Sequence, residues 1–337
     1  MVNSSPGIAL LGGLAALGAA AVAGVWLRRR RPARRPAGET QPPSDPAGEQ
    51  APEAEREESL EPPVEASSGA GRMEPVRDYF VLVTALTVPF WLFGGRPLPL
   101  PVKLPASALA LVVPLAAACI LTYRRAGPAG LRALFRRALD YPKIRNRAWY
   151  LPILFLYPLI AVLAYAVMRR AGLPLPGPQV PWLMAPVFLA GFFIAGIGEE
   201  LGWMGYAFDP MQRRWGALGA GLLLGLFWAF YHLIPDLQNR QPAGWILWHR
   251  LGTVAFRVLI AWIYTNTGRS VFAAILFHAV NNLSWALFPN YGSHYNPFVT
   301  FLLTLPAVGL VLLGWDWQTL TRFRFARPTA IKPGYRP

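Results

Sequence analysis

Long apolar segments separated by short basic loops recur along the chain and constrain its fold more than any other feature. Hydrophobic residues make up 54% of the 337, and the mean hydropathy is +0.33. This pattern is typical of a polytopic helical membrane protein. We therefore predict an all-α transmembrane bundle of about eight core helices plus an N-terminal anchor helix. The predicted core spans are Tyr79–Phe93, Ala106–Tyr123, Trp149–Met168, Trp182–Phe208, Ala217–Ile234, Trp245–Tyr264, Val271–Phe288 and Phe298–Trp315.

The chain divides by composition into four parts. Residues 1–35 hold an apolar anchor segment, Gly7–Leu27, followed by a basic flank. Residues 36–77 are rich in Pro and Glu and nearly free of large apolar side chains, so we predict a disordered cytoplasmic linker. Residues 78–320 form the predicted membrane domain, with the candidate chemistry inside 186–288. Residues 321–337 are a basic tail, predicted to be cytoplasmic.

The distribution of charge predicts the orientation of the helices. The net charge is +15, but the basic residues lie at the ends of apolar segments, which argues against a nucleic-acid partner. Twenty-five of the 32 Lys and Arg residues fall on one side of the predicted bundle and five on the other. By the positive-inside rule, the richer side, with the linker and the tail, faces the cytoplasm. The single cysteine, Cys119, excludes an intrachain disulfide and a cysteine metal cluster.

Two adjacent carboxylates, Glu199 and Glu200, directly follow an apolar run from Pro186 to Ile197. Each carboxylate in a membrane interior costs about 2.5 kcal/mol or more, and such groups are usually functional. The plainer interpretation is that the pair marks the wet end of a helix.

Two later segments carry polar residues at helical spacing. His232 follows Trp228 by four residues, and Asn282 follows His278 by four, so each pair shares one face of its helix. At 1.5 Å rise per residue, Glu199, His232 and His278 lie about 16, 22 and 12 Å from the cytoplasmic ends of their helices. The carboxylate, the two imidazoles and the carboxamide of Asn282 can therefore meet at one level of the bilayer.

This set suits two chemistries. In one, Glu199, His232 and His278 bind zinc, which lowers the pKa of a bound water. In the other, no metal is present: Glu199 with His232 activates water as a general base, and His278 and Asn282 donate hydrogen bonds to the tetrahedral oxyanion. Both end in hydrolysis of a peptide bond. The competing structural interpretation is that each histidine only bonds a neighbouring helix.

The ordered set of Glu-Glu, aromatic-x-x-x-His and His-x-x-x-Asn resembles the CPBP family of intramembrane proteases, which includes the CAAX prenyl endopeptidases and relatives linked to bacteriocin processing or immunity. The resemblance covers about 186–282. It implies a bundle of transmembrane helices with a membrane-embedded site open to the cytoplasm. It also implies that five residues match catalytic positions of the family: Glu199, Glu200, His232, His278 and Asn282.

The chain departs from the family pattern at two positions. Trp228 stands where the second motif usually has Phe. Met204 stands where Glu-Glu-x-x-x-Arg has its arginine, so Glu200 loses a cation that could balance two close carboxylates. The simpler outcome is a neutral or hydrated Glu200. The alternative is that Arg257, about 12 Å above the cytoplasmic end of its helix, pairs with Glu200.

The sequence thus predicts an intramembrane endopeptidase of the plasma membrane. Its partners would be the lipid bilayer and a membrane-associated peptide or protein substrate, with or without a prenyl group. Zinc is the one cofactor that the residues suggest. The alternative, which the methionine at position 204 favours, is a catalytically silent CPBP-like protein that acts as an immunity or scaffold factor.

Overall fold

The structure, a computed structural model, describes residues 74–95 and 106–321. Every regular element within these two ranges is helical, which confirms the predicted all-α fold. The α-helices there are α1 (Glu74–Phe93), α2 (Val113–Arg136), α3 (Tyr150–Arg170), α4 (Ala185–Gly202), α5 (Phe208–Gln238), α6 (Ala243–Asn266), α7 (Val271–Leu287) and α8 (Pro297–Gly314). The predicted anchor helix, the linker up to residue 73 and the tail beyond Thr321 lie outside the described residues.

The described helices include several that can cross a membrane. Six helical stretches are long and apolar enough, and α7 is a shorter apolar helix. One stretch, Trp182–Gln238, is 57 residues long. This is far more than the roughly 20 residues that one crossing requires. The chain is therefore a multi-pass membrane protein.

Several boundaries differ from the sequence prediction, and two of the differences have clear local reasons. Helix α1 begins at Glu74 and not at Tyr79, with Pro75 in its first turn, where proline's fixed φ suits a helix start. The loop predicted between the spans ending at Phe208 and starting at Ala217 is instead helical. The chain breaks direction there at a single residue, Gly216, whose φ of 71° is a left-handed conformation that glycine adopts without strain.

Helices α5 and α6 pack closely because α5 presents glycine to α6. A Cβ on Gly225 would lie 3.1 Å from the Cβ of Arg257 and 3.1 Å from the Cα of Val254. One turn earlier, a Cβ on Gly221 would lie 3.3 Å from that of Ala261. Small residues spaced four apart are a common way for membrane helices to approach each other. The close approach brings α6, and the arginine it carries, against the centre of the bundle.

The start of α7 is fixed by a carboxylate from the loop after α2. Asp140 Oδ1 accepts hydrogen bonds from Ser270 Oγ at 2.8 Å and from the Phe272 amide at 3.0 Å. Ser270 Oγ in turn accepts from the Ala273 amide at 3.1 Å, as an N-cap does. Lys143 Nζ balances Asp140 at 3.0 Å. These contacts fix the register of the helix that carries His278.

Candidate active site in the helix bundle

The two adjacent carboxylates lie in the last turn of α4. Glu199 is 7% exposed and Glu200 is fully buried. Directly after them, Trp203–Ala207 forms one turn of π-helix. Such turns are uncommon and occur frequently at functional sites, because they redirect the side chains on either side. The widened turn places the indole nitrogen of Trp203 3.4 Å from the carboxylate of Glu199, which lies one turn earlier.

Glu199 is held by two indole groups through a single oxygen. Trp228 Nε1 on α5 donates to Glu199 Oε2 at 2.6 Å, and Trp203 Nε1 donates more weakly to the same atom at 3.4 Å. Both bonds are buried. The other oxygen, Oε1, makes no hydrogen bond with any side chain or backbone group of the described residues, while the residue keeps some exposure. Glu199 is therefore oriented by one oxygen and has the other available.

Glu200 is held by an arginine and a histidine. Arg257 Nη1 on α6 donates to Glu200 Oε2 at 2.6 Å, and both side chains are fully buried. His278 Nδ1 on α7 lies 2.9 Å from the other oxygen, Oε1. Of the two alternatives left by the sequence, the structure shows the ion pair with Arg257, and the simpler expectation of an unpaired Glu200 is wrong. A buried carboxylate and a buried guanidinium compensate each other only at such short range.

The indole of Trp228 lies at the centre of these groups. The Arg257 Cζ lies 4.0 Å from its ring centroid, a short cation–π distance. The His278 ring lies 5.1 Å away and the His232 ring 5.4 Å away, both edge-on. Trp228 thus contacts both histidines, the arginine and Glu199.

His232 and Asn282 lie at the margin of this cluster. His232 Nδ1 is 3.0 Å from the carbonyl of Trp228 on its own helix, so that bond sets the ring without reaching another helix. Asn282 Oδ1 accepts a long bond of 3.4 Å from Asn281. No hydrogen bond joins His232 or Asn282 to Glu199 or His278 in the part of the chain that the structure describes. The structure therefore joins Glu200 with His278 directly, while Trp228 contacts Glu199, His232 and His278.

The predicted zinc ligands do not form a metal site in this arrangement. Among the described residues, no group of three or more His, Cys, Asp and Glu side chains is placed to hold a metal ion. His278 Nδ1 is engaged by Glu200, and His232 Nδ1 lies against its own helix. Because these groups do not fit a metal, we derive no step through zinc, and its presence stays a prediction.

Two contributions to the site were not foreseen from sequence. No sequence pattern assigned a role to the N–H groups of Trp203 and Trp228, yet both donate to Glu199. A weak signal existed: Trp203 and Trp228 each lie four residues from another polar site residue, Glu199 and His232 respectively. Which way an indole N–H points, however, follows only from how α4 and α5 pack.

Comparison with known proteins supports the resemblance. Residues 181–284 match the family described as type II CAAX prenyl endopeptidase, Rce1-like. A segment of 102 residues is 30% identical to CAAX prenyl protease 2 of Methanococcus maripaludis, covering 28% of this chain and 38% of that protein. The chain thus matches well under half of that relative's length. The region that contains the two glutamates and both motif histidines is therefore similar to Rce1-like CAAX prenyl endopeptidases.

Proposed function

We propose that this protein is an intramembrane endopeptidase that hydrolyses a peptide bond near the cytoplasmic side of the membrane. The observation that carries the proposal is the set of atoms left available around Trp228. Glu199 Oε1, His232 Nε2 and His278 Nε2 make no hydrogen bond with the described residues, while their partner atoms are fixed. Each of the three side chains has one polar atom held by a hydrogen bond and a second polar atom without one. Such oriented groups suit general acid–base chemistry.

The proposed reaction uses these atoms in order. Glu199, assisted by His232, takes a proton from water as the water oxygen attacks the peptide carbonyl carbon. His278 Nε2 and the Asn282 amide donate to the oxyanion that forms. The proton then passes from Glu199 to the peptide nitrogen as the C–N bond breaks. Glu200 does not react; it fixes the orientation of the His278 ring through Nδ1.

The proposed substrate is a membrane-associated peptide or protein. The family description and the name of the archaeal relative both refer to CAAX prenyl substrates. We extend to this chain only the class, and a prenyl group is a variable of the test. We place the protein in the plasma membrane, and the basic asymmetry of the loops supports an orientation with the linker and tail in the cytoplasm.

The experiment compares wild-type protein with Glu199→Ala, each reconstituted in liposomes with a library of membrane-anchored peptides, prenylated and unprenylated. We expect cleavage by the wild type and a loss of at least 100-fold in the variant, the scale of a lost general base. A folded wild type that cleaves nothing, or cleaves as the variant does, would contradict the proposal and favour the silent alternative. Elemental analysis of the same samples tests the zinc prediction.

A further inference from the structure

We propose that Arg257 is the positioning residue that aligns both halves of this site. Arg257 lies on α6, outside the motif residues, and is fully buried. It would act through its neighbours and touch no reacting atom. The inference rests on the proposed hydrolytic function, because its readout is the rate of cleavage.

Arg257 restrains His278 through Glu200. Arg257 Nη1 binds one oxygen of Glu200 at 2.6 Å, which leaves the other to His278 Nδ1 at 2.9 Å. The carboxylate is therefore held at both ends and cannot rotate without breaking a buried bond. With Arg257 absent, one oxygen of Glu200 loses its partner, so the carboxyl group can turn and the His278 ring can turn with it.

Arg257 also restrains Glu199, through the indole of Trp228. The guanidinium of Arg257 lies over the Trp228 ring at 4.0 Å, and the same indole donates to Glu199 at 2.6 Å. Arg257 Nε and Nη2 are buried without a hydrogen-bond acceptor among the described residues. The electron-rich face of the Trp228 indole therefore supplies the remaining favourable contact of the guanidinium. One arginine thus restrains both the carboxylate that orients His278 and the indole that orients Glu199.

The close packing of α5 and α6 makes this position rigid. A Cβ on Gly225 would already meet the Cβ of Arg257 at 3.1 Å, so the stem of the arginine lies against the backbone of α5. A stem that is packed in this way limits the positions that the guanidinium can reach. Misplacement by about 1 Å can cost 100-fold in rate.

The principal test measures kcat and KM for Arg257→Leu and Arg257→Lys. We expect Leu to lower kcat by about 100-fold with KM within about threefold, because substrate contacts are unchanged. Lys keeps the charge but loses the planar guanidinium, so we expect it to recover about tenfold of that loss. Wild-type kcat in Arg257→Leu, in a preparation where the wild type is active, would overturn the inference. Absence of cleavage by the wild type would instead overturn the proposed function.

A matched control separates positioning from simple loss of a buried ion pair. Arg250 lies two turns earlier on α6, and its Nε pairs with Asp236 Oδ2 at 2.8 Å. We expect Arg250→Leu to lower the melting temperature as Arg257→Leu does, while kcat stays within about threefold of wild type. Equal losses of kcat in the two variants would show that any broken buried pair suffices, and would overturn the special role of Arg257.

Two further variants keep the test decisive if Arg257→Leu folds poorly. Combining it with Glu200→Gln removes both charges, so the double variant should fold better than the single one and still lack most of kcat. Placing a new cation four residues after Glu200, by Met204→Arg in the Arg257→Leu background, should restore kcat in part. Full activity in the folded double variant would overturn the inference.

Discussion

Helices α6 and α8 reverse the relation between burial and polarity that holds in a water-soluble protein, where the more buried helix is the more apolar one. Both are apolar enough to span a membrane, yet 56% of the most apolar window of α6 is buried inside the protein against 22% for α8. The more buried helix is the one that carries charge, Arg250 and Arg257, while α8 contains no Asp, Glu, Lys or Arg. Lipid accepts apolar side chains, so the polar groups are the ones that must be enclosed by protein.

The largest expected effect comes from the polar residues that the bundle encloses. We expect His278→Ala and Glu199→Ala each to lower kcat at least 100-fold, and the double variant to be little worse than either, because residues that act as a unit are not additive. Melting temperatures of the purified variants check that each is folded. Additive losses would mean that the two residues act independently, and unaltered cleavage by His278→Ala would remove α7 from the site.

A second prediction compares two neighbouring amides on α7. Asn282 shares the face of His278, so we expect Asn282→Ala to lower kcat on the order of 100-fold with KM nearly unchanged, the scale of a lost oxyanion donor. Asn281→Ala should stay within about threefold of wild type. Steady-state kinetics on one peptide substrate measure both. Equal losses in the two variants would contradict the assignment of Asn282.

The smallest expected effect comes from a comparison of two glycines. One lies at the contact between α5 and α6, and the other lies on α6 with open space beside it. Gly225 packs against α6, whereas a Cβ on Gly252 would have nothing within 4 Å. We expect Gly225→Val to lower the free energy of unfolding by about 1–3 kcal/mol through overpacking. Gly252→Val should change it by less than about 0.5 kcal/mol, because the added side chain meets open space. Thermal unfolding in one detergent measures both variants. An equal loss in the free energy of unfolding would show that the contact between α5 and α6 is packed no more tightly than the surroundings of Gly252.

Sequence reasoning predicted the helices because apolar length is a property of each segment alone. It also placed Glu199, His232 and His278 at similar depths, since a fixed rise per residue converts position into height. It failed at Gly216, where a short basic stretch was taken for a loop although the chain stays helical on both sides of one left-handed residue. Hydropathy responds to Arg213 and Arg214 and not to the backbone angle of one glycine.

The arrangement of the site was less predictable than its membership. The depth of Arg257 made a pair with Glu200 conceivable, but depth does not give the direction in which a side chain points around its helix. The simpler expectation failed because α5 and α6 approach through Gly225 and aim the guanidinium inward. The bond from Trp228 to Glu199 likewise depends on three-dimensional packing between α4 and α5.

The location of the charge-balancing cation has a consequence for how this protein is made. Glu200 and Arg257 are 57 residues apart and belong to different helices. When α4 leaves the insertion machinery, its buried carboxylate has no partner on its own helix, because position 204 is methionine. The balancing cation reaches Glu200 only after α5 and α6 have been synthesised and docked. Until then, a carboxyl group in hydrocarbon keeps its proton or stays in contact with water. Formation of the ion pair is therefore coupled to completion of the bundle, so that partially assembled chains differ chemically from finished ones.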